Sequence, residues 1–339
     1  MTLVTGFLGS GKTTLIRRLL AHPGMERSAV IVNEFGEVGI DHTLVAASSE
    51  QVTLLANGCL CCAVRTDLQE TLRELFAQRR AGQVIDFDRV LIETSGLADP
   101  APVMQTLATD ALLGAQYRLD GVVTLVDAVN GAQQLESERE AAKQVALADR
   151  VLLTKTDLVT AAQVEAIRDR IGELNPQAPL AVVIDGAIDP AELRDIGLAN
   201  TYGDPPSVYR WLGRSAFDAQ VSSEPSLGAR LATNARHDSS IRTFVLTLDT
   251  PFTWQSFSST MELLASLRGP DLLRVKGLVN VTGESGPVVV QGVQHIFHPP
   301  VTLAAWPDAD RRSRLVFIAR NIPRAAVETL FSAVGGLQS

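Results

Sequence analysis

No stretch of this chain limits its folding options as tightly as Gly6-Phe7-Leu8-Gly9-Ser10-Gly11-Lys12-Thr13-Thr14. Gly6 to Thr13 satisfy the pattern G-x-x-x-x-G-K-[ST], and the flanks suit it. Thr2–Thr5 reads as an apolar strand, and Leu15, Ile16, Leu19 and Leu20 recur at helical spacing. A strand that breaks into a glycine-rich turn and then a helix aims successive backbone N–H groups at one point, where they cradle phosphate. Lys12 then reaches the β- and γ-phosphates, and the Thr13 hydroxyl is placed to ligate Mg²⁺. The pattern predicts a nucleoside-triphosphate site made of Gly9, Ser10, Gly11, Lys12, Thr13 and Thr14.

Further strand candidates are Ala29–Val32, Val52–Leu55, Arg89–Ile92, Gly121–Val126, Arg150–Leu153 and Leu180–Ile184. Their near-continuous apolar character suits strands buried on both faces, as in a parallel sheet covered by helices. The clearest helix between them is Thr66–Ala81. Leu68, Leu72, Leu75 and Phe76 make its apolar face, Thr66 with Gln69 suits a capping box, and Gly82 stops it. The expected fold is a doubly wound, mostly parallel α/β domain over 1–199. Residues 200–240, with Pro205 and Pro206 and no sustained periodicity, read as a linker. A smaller α+β domain over 241–339 follows: strand Ile241–Leu248, helix Trp254–Leu267, strands near Leu273–Val281, Pro287–His295, Val301–Ala305 and Arg314–Ile318, and helix Arg324–Phe331. A length of 339 residues suits two domains.

Composition removes several function classes. A formal net charge of -8 opposes binding to a nucleic-acid backbone, which needs clustered Lys and Arg. No apolar run approaches the ~20 residues that span a bilayer. The N-terminus shows neither the basic flank nor the cleavage site of a secretory signal, so a cytoplasmic protein with reduced thiols is expected.

Two later segments extend the phosphate site. In Arg89–Gly96 a buried strand delivers Glu93 at its C-terminal end, to hold Mg²⁺ through water or to orient an attacking water, and Gly96 permits close approach to the γ-phosphate. Asp127 competes for the metal-proximal role. In Arg150–Asp157, "RVLLTKTD", Asp157 is placed to accept from N1–H and N2–H₂ of guanine, with the Lys155 stem along the base. Adenine would leave that buried acceptor facing an acceptor, at about 1–3 kcal/mol per unsatisfied group. The turn at Ile184-Asp185-Gly186 is placed to offer backbone N–H to the guanine O6.

With "GFLGSGKTTL", "NEFGEVGID", "NGCLCC", "IETSG" and "TKTD" in this order, the chain resembles the CobW-like GTPases. "QGVQHIF" and "RLVFIAR" resemble the CobW C-terminal domain. The resemblance implies a P-loop GTPase of the metallochaperone group, related to nickel-insertion GTPases. Thr154 stands where many GTPases have Asn, which implies weaker support of the phosphate loop. The C-terminal domain lacks the His-rich stretch of some members, which argues against metal storage there.

All three cysteines, Cys59, Cys61 and Cys62, lie in "NGCLCC". A helix start soon after Cys62 would favour thiolates, and soft thiolates select Zn²⁺, Cu(I) or Co²⁺ over Mg²⁺. Three sulfurs leave a tetrahedral site open by one position, suited to handover. Glu34 and Glu37 can add oxygen ligands, and Glu37 joins Lys12, Thr13 and Glu93 as a catalytic candidate. Buried small hydrophobes or a redox dithiol are the alternative readings of the cysteines. His295 and His298 suit an edge strand as well as a metal, and Trp211, Trp254 and Trp306 read as packing anchors. The expected function is a GTP-hydrolysing metallochaperone that moves a transition metal, foremost zinc, to a client metalloprotein; a second copy of the chain is a further candidate partner. The rivals are a P-loop kinase of a small molecule and a non-enzymatic metal-buffering or regulatory protein.

Overall fold

The computed structural model describes residues 1–33, 53–54, 60–64, 68–194, 196–197 and 241–335. Glu34, Glu37, Cys59, Trp211 and the 200–240 segment lie outside them. The chain divides into two compact units: Met1–Gln134, Ala148–Ile167 and Leu180–Ala199 form one, and Leu135–Leu147, Arg168–Pro179 and Asn200–Ser339 the other.

The first sheet contains β1 (Thr2–Gly6), β2 (Ser28–Asn33), β3 (Thr53–Leu54), β4 (Leu60–Val64), β5 (Arg89–Thr94), β6 (Gly121–Asp127), β7 (Arg150–Thr154) and β8 (Leu180–Val183). Their order is β3-β4-β2-β5-β1-β6-β7-β8, and every pairing is parallel except β3 with β4. The expected doubly wound, mostly parallel sheet is therefore present. Every residue of β1 and β6 is buried, as continuous apolar runs between helical layers should be. Helix α1 (Lys12–Leu20) buries Leu15, Ile16 and Leu19 in a core shared with Val4, Val30 and Leu91. Helix α2 (Leu68–Arg80) buries Leu68, Leu72 and Leu75, each such leucine contributing about 1.5–3 kcal/mol. Among the described residues before 200, the further α-helices are α3 (Pro100–Thr109), α4 (Ala111–Gln116), α5 (Gly131–Ser137), α6 (Arg139–Leu147) and α7 (Ala161–Leu174).

The third strand in chain order departs from expectation. Of Val52–Leu55 only Thr53–Leu54 forms a strand among the described residues, and it runs antiparallel to β4. Cys61 and Cys62 belong to β4 itself, in register with Val30 and Ile31 of β2, instead of a loop that leads into a helix. The reason is visible in the residue types. Leu60-Cys61-Cys62-Ala63-Val64 is an apolar run of strand length once Cys is counted as the small hydrophobe it is.

In the second unit, β9 (Ile241–Leu248), β10 (Leu272–Val279), β11 (Val288–Val293), β12 (Ile296–Phe297), β13 (Val301–Thr302) and β14 (Ser313–Arg320) form an antiparallel sheet of order β12-β11-β10-β14-β9, with β13 beside β11. Helix α8 (Trp254–Arg268), capped where the Ser256 N–H donates to Thr253 Oγ1 at 3.2 Å, and helix α9 (Arg324–Gly335) close its core. There Phe317 meets Phe331 edge-on at 6.5 Å. The same unit holds two helix ends. The Arg274 guanidinium donates to the Leu147 carbonyl at the end of α6, and Thr243 Oγ1 donates to the Leu174 carbonyl at the end of α7 at 2.8 Å. Both bonds satisfy carbonyls that a helix leaves without internal partners, and the cation also suits a helix C-terminus. His295 and His298 flank β12, and the described residues contain no group of three or more His, Cys, Asp or Glu able to hold a metal.

Candidate functional site

The loop after β1 is shaped by its glycines. Gly6 has φ +144° and no space for a Cβ, which would stand 2.5 Å from the Leu125 carbonyl oxygen. Gly11, at φ +94°, is the left-handed N-cap from which α1 departs at Lys12. Lys12 is buried, and its ammonium lies back over the loop, donating to the Gly6 carbonyl at 2.8 Å and the Phe7 carbonyl at 3.3 Å. Ser10 is buried, and among the described residues its Oγ has no hydrogen-bond partner. A built loop that keeps a buried hydroxyl unsatisfied and turns a lysine on its own carbonyls is a loop made for an anion.

Glu93 arrives from the neighbouring strand, since β5 pairs with β1 in a register that sets Glu93 opposite Val4. It is buried, and its Oε1 accepts from Thr13 Oγ1 at 3.2 Å. The two candidate Mg²⁺ residues thus stand side by side. Gly96 follows so close to the loop that a Cβ would lie 2.8 Å from the Leu8 nitrogen. Thr94 Oγ1 donates to Thr5 Oγ1 at 2.8 Å, binding the two strand ends together.

Across β1 the sheet continues with β6, β7 and β8, and their C-terminal ends carry the rest. Asp127 is not free for a metal, which corrects the alternative raised for it. Its Oδ1 accepts from the Val129 N–H at 2.7 Å, and its Oδ2 from Asn130 Nδ2 at 3.0 Å and Lys155 Nζ at 2.8 Å. Burial raises the pKa of this carboxyl, but the Lys155 hydrogen bond and then those from Val129 and Asn130 outweigh it, so the carboxyl lies below its ordinary value.

Thr154 at the end of β7 is buried, and its Oγ1 lies 2.8 Å from the Ser10 carbonyl and 3.3 Å from that of Val126. The expected weakening of loop support is therefore not found: the hydroxyl ties β7 to the phosphate loop directly. Lys155 turns left-handed at φ 57° and leads into the turn Thr156–Leu158, where Asp157 is exposed, not the buried acceptor expected of it, because it sits in a turn beyond the end of β7. After β8, Asp185 at φ 49° and Gly186 at φ +71° form the turn, and Gly186 abuts the Thr14 carbonyl, where a Cβ would stand at 2.9 Å. Arg18 of α1 fastens it, pairing with the Asp185 carboxylate and donating to its carbonyl at 3.1 Å. The structure thus gathers Gly9–Thr14, Glu93, Gly96, Lys155, Asp157 and Asp185 on one edge, where ligands bind in open parallel sheets. The support given by Asp127, Thr154 and Arg18 has no local pattern in the sequence; the nearest signal is the acidic residue Asp127 at the end of the apolar run Gly121–Val126.

Cys61 and Cys62 stand elsewhere on the sheet. Cys62 is level with Ile31 of β2, and Ile31 with Ile92 of β5, so Cys62 is one residue short of the level of Glu93. Its backbone is about 10 Å from β5, two strand spacings away.

Two family descriptions match: "CobW/HypB/UreG, nucleotide-binding domain" over residues 1–182 and "Cobalamin synthesis protein cobW C-terminal domain" over residues 241–334. The zinc chaperone YjiA of Escherichia coli strain K12 is 36% identical over 334 residues, 98% of each chain. The zinc chaperone CobW of Pseudomonas aeruginosa is 32% identical, over 96% of this chain and 89% of its own length. Zinc-regulated GTPase metalloprotein activator 1 of Schizosaccharomyces pombe is 28% identical, over 96% and 83%. Among solved structures, Zn(II)-bound YjiA GTPase from E. coli superposes with a TM-score of 0.76 at 34% identity, covering 98% of both chains. With the phosphate loop, the Thr13–Glu93 pair and the Thr154–Asp157 segment on one sheet edge and both domains matched, the chain belongs to the CobW/HypB/UreG nucleotide-binding family.

Proposed function

We propose that this protein is a GTP-hydrolysing metallochaperone that binds zinc at Cys59, Cys61 and Cys62, with Glu34 and Glu37 as oxygen ligands, and passes it to a client metalloprotein according to nucleotide state. The observation that carries the reading is the sheet edge itself. Phosphate loop, Glu93 and the Lys155–Asp157 turn share it, and the cysteine strand β4 stands two places beyond β5.

Lys12 exchanges its loop carbonyls for phosphate oxygens and stabilises charge that grows on them during transfer. The hard oxygen pair of Thr13 and Glu93 fits Mg²⁺, and these two residues would hold it. That ion, when bound, neutralises phosphate charge. Glu93 and Glu37 are the candidates for orienting the attacking water. Exposed Asp157 selects guanine through its N1–H and N2–H₂ donors, and the Asp185–Gly186 turn offers backbone N–H to O6.

Zinc is cargo in this reading. Thiolates suit it, and a three-sulfur set leaves a position open for the next ligand. Because adjacent residues of a strand alternate faces, joint ligation by Cys61 and Cys62 requires that part of β4 to rearrange when zinc binds. The names of the relatives, zinc chaperone and zinc-regulated GTPase metalloprotein activator, support that choice. Residues 1–199 would work on nucleotide and metal, 200–240 link, and 241–339 meet the client, in a reducing compartment such as the cytoplasm. Among the described residues no helix is long and apolar enough to cross a membrane.

The test is Zn²⁺ affinity, measured by competition with a chromophoric chelator, in the presence of a non-hydrolysable GTP analogue, GDP or no nucleotide. Coupling of about 1–3 kcal/mol, roughly 5–150-fold in affinity, is expected between the triphosphate and nucleotide-free states. The Cys61→Ser/Cys62→Ser variant should lose the tight site. Equal affinities in all three states would reject nucleotide-controlled transfer.

A further inference from the structure

We infer that Asp127 is a positioning residue for nucleotide binding: it pins the Lys155 ammonium at the end of β6, so that the lysine stem is laid out as a floor for the purine ring. The inference rests on the guanine-nucleotide reading above and adds to it a residue that never touches the nucleotide.

The geometry is specific. Asp127 closes β6 in register with Thr154 of β7, so its carboxylate faces the residue that follows Thr154. That residue, Lys155, is bent left-handed at φ 57° and reaches sideways to Asp127 Oδ2 at 2.8 Å. The Asp127 side chain is only 1% exposed, whereas that of Lys155 is 36% exposed. Val129 N–H at 2.7 Å and Asn130 Nδ2 at 3.0 Å hold the carboxylate from the loop side, so the anchor is fixed before the lysine meets it. A buried carboxylate at a ligand-binding edge is costly unless paired, and here its ionic partner is the base-flanking lysine. An unpinned lysine samples many rotamers, and nucleotide binding would have to order it. Pre-ordering the stem removes that cost from binding and leaves the phosphoryl-transfer groups untouched. Loss of Asp127 should therefore raise KM and spare kcat. A stem floor serves any purine equally, so Asp127 should set affinity without setting the choice of base.

The experiment is steady-state turnover of GTP and of inosine triphosphate, which lacks the 2-amino group, by wild type, Asp127→Ala, Asp127→Asn, Lys155→Ala and the Asp127→Ala/Lys155→Ala double variant. Thermal unfolding of each accompanies the kinetics. Asp127→Ala should raise KM for both nucleotides by about tenfold, with kcat within about twofold of wild type. Asp127→Asn keeps an acceptor for Val129 and should shift KM the same way by less, which covers the case in which the alanine variant fails to fold. In the Lys155→Ala background, Asp127→Ala should add nothing. Unchanged KM in the folded variants, or an equal KM rise with and without Lys155, would overturn the inference. Absence of guanine preference in the wild type, with Asp127→Ala still raising KM, would count against Asp157 as base reader and leave the floor supported. Absence of any nucleotide turnover by wild type would remove both readings together.

Discussion

Gly96 leaves no room for a side chain. A Cβ there would come within 2.6–2.9 Å of Leu8 Cδ2, N and Cα, and two of those atoms are backbone of the phosphate loop. Gly96→Ala must therefore displace the loop or the segment after β5. Overpacking of this kind costs typically about 1–3 kcal/mol. We expect GTP kcat/KM to fall by at least about tenfold, because a displacement of 1 Å at a reacting centre costs on that order or more. Turnover and unfolding measured together check it, and a fully active, fully stable Gly96→Ala protein would show that the contact is slack. Lys12 poses the opposite case: its ammonium is already held by two carbonyls of the loop itself.

At the end of β7 one hydroxyl joins two segments that lie far apart in sequence. Thr154 Oγ1 and the Ser10 carbonyl are 144 residues apart along the chain and 2.8 Å apart in space. Thr154→Val keeps the shape and removes the donor, leaving a buried carbonyl short of a partner at about 1–3 kcal/mol. The expected result is a KM for GTP raised several-fold with Thr154→Ser near wild type; equal KM values in Val and Ser variants would refute the tether. Such links explain how far the sequence could be read. Local chemistry gave the phosphate loop, because glycines, lysine and threonine at fixed spacing announce their own geometry. Strand ends could be placed for Glu93 and Asp157 because apolar runs stop there. The partners of Asp127, Thr154 and Arg18 depend on which strands are neighbours, and no local pattern states that order. The cysteine strand is hard to see in the sequence for a different reason: Cys is at once a metal ligand and a small apolar residue, and in the second character it completes the run Leu60–Val64 that forms β4.

The second compact unit is discontinuous in sequence. It takes Leu135–Leu147 and Arg168–Pro179 from the sequence before residue 180 and joins them to the C-terminal sheet. A fragment ending at Ala199 would therefore leave α6 and the end of α7 without Arg274 and Thr243 on their last carbonyls. Two lost terminal bonds at about 1 kcal/mol each predict a Tm lower by at least about 4 °C. Amide exchange should accelerate first in Arg139–Leu147 and in the last turn of α7. A fragment with unchanged Tm and unchanged protection would mean that these helix ends are stable by themselves.

The discontinuity also sets an order in time. Leu147 leaves the ribosome 127 residues ahead of Arg274, and Leu174 leaves it 69 residues ahead of Thr243. At about 5–20 residues per second, roughly 6–25 s pass between synthesis of the Leu147 carbonyl and synthesis of the guanidinium that caps it. During that interval the phosphate loop, β7 and the base-reading turn are already made, while the helices on either side of β7 wait with bare ends. The nascent chain must carry an unfinished unit for that interval, and a nucleotide bound early at the phosphate-loop edge would steady β7 until the last hundred or so residues arrive.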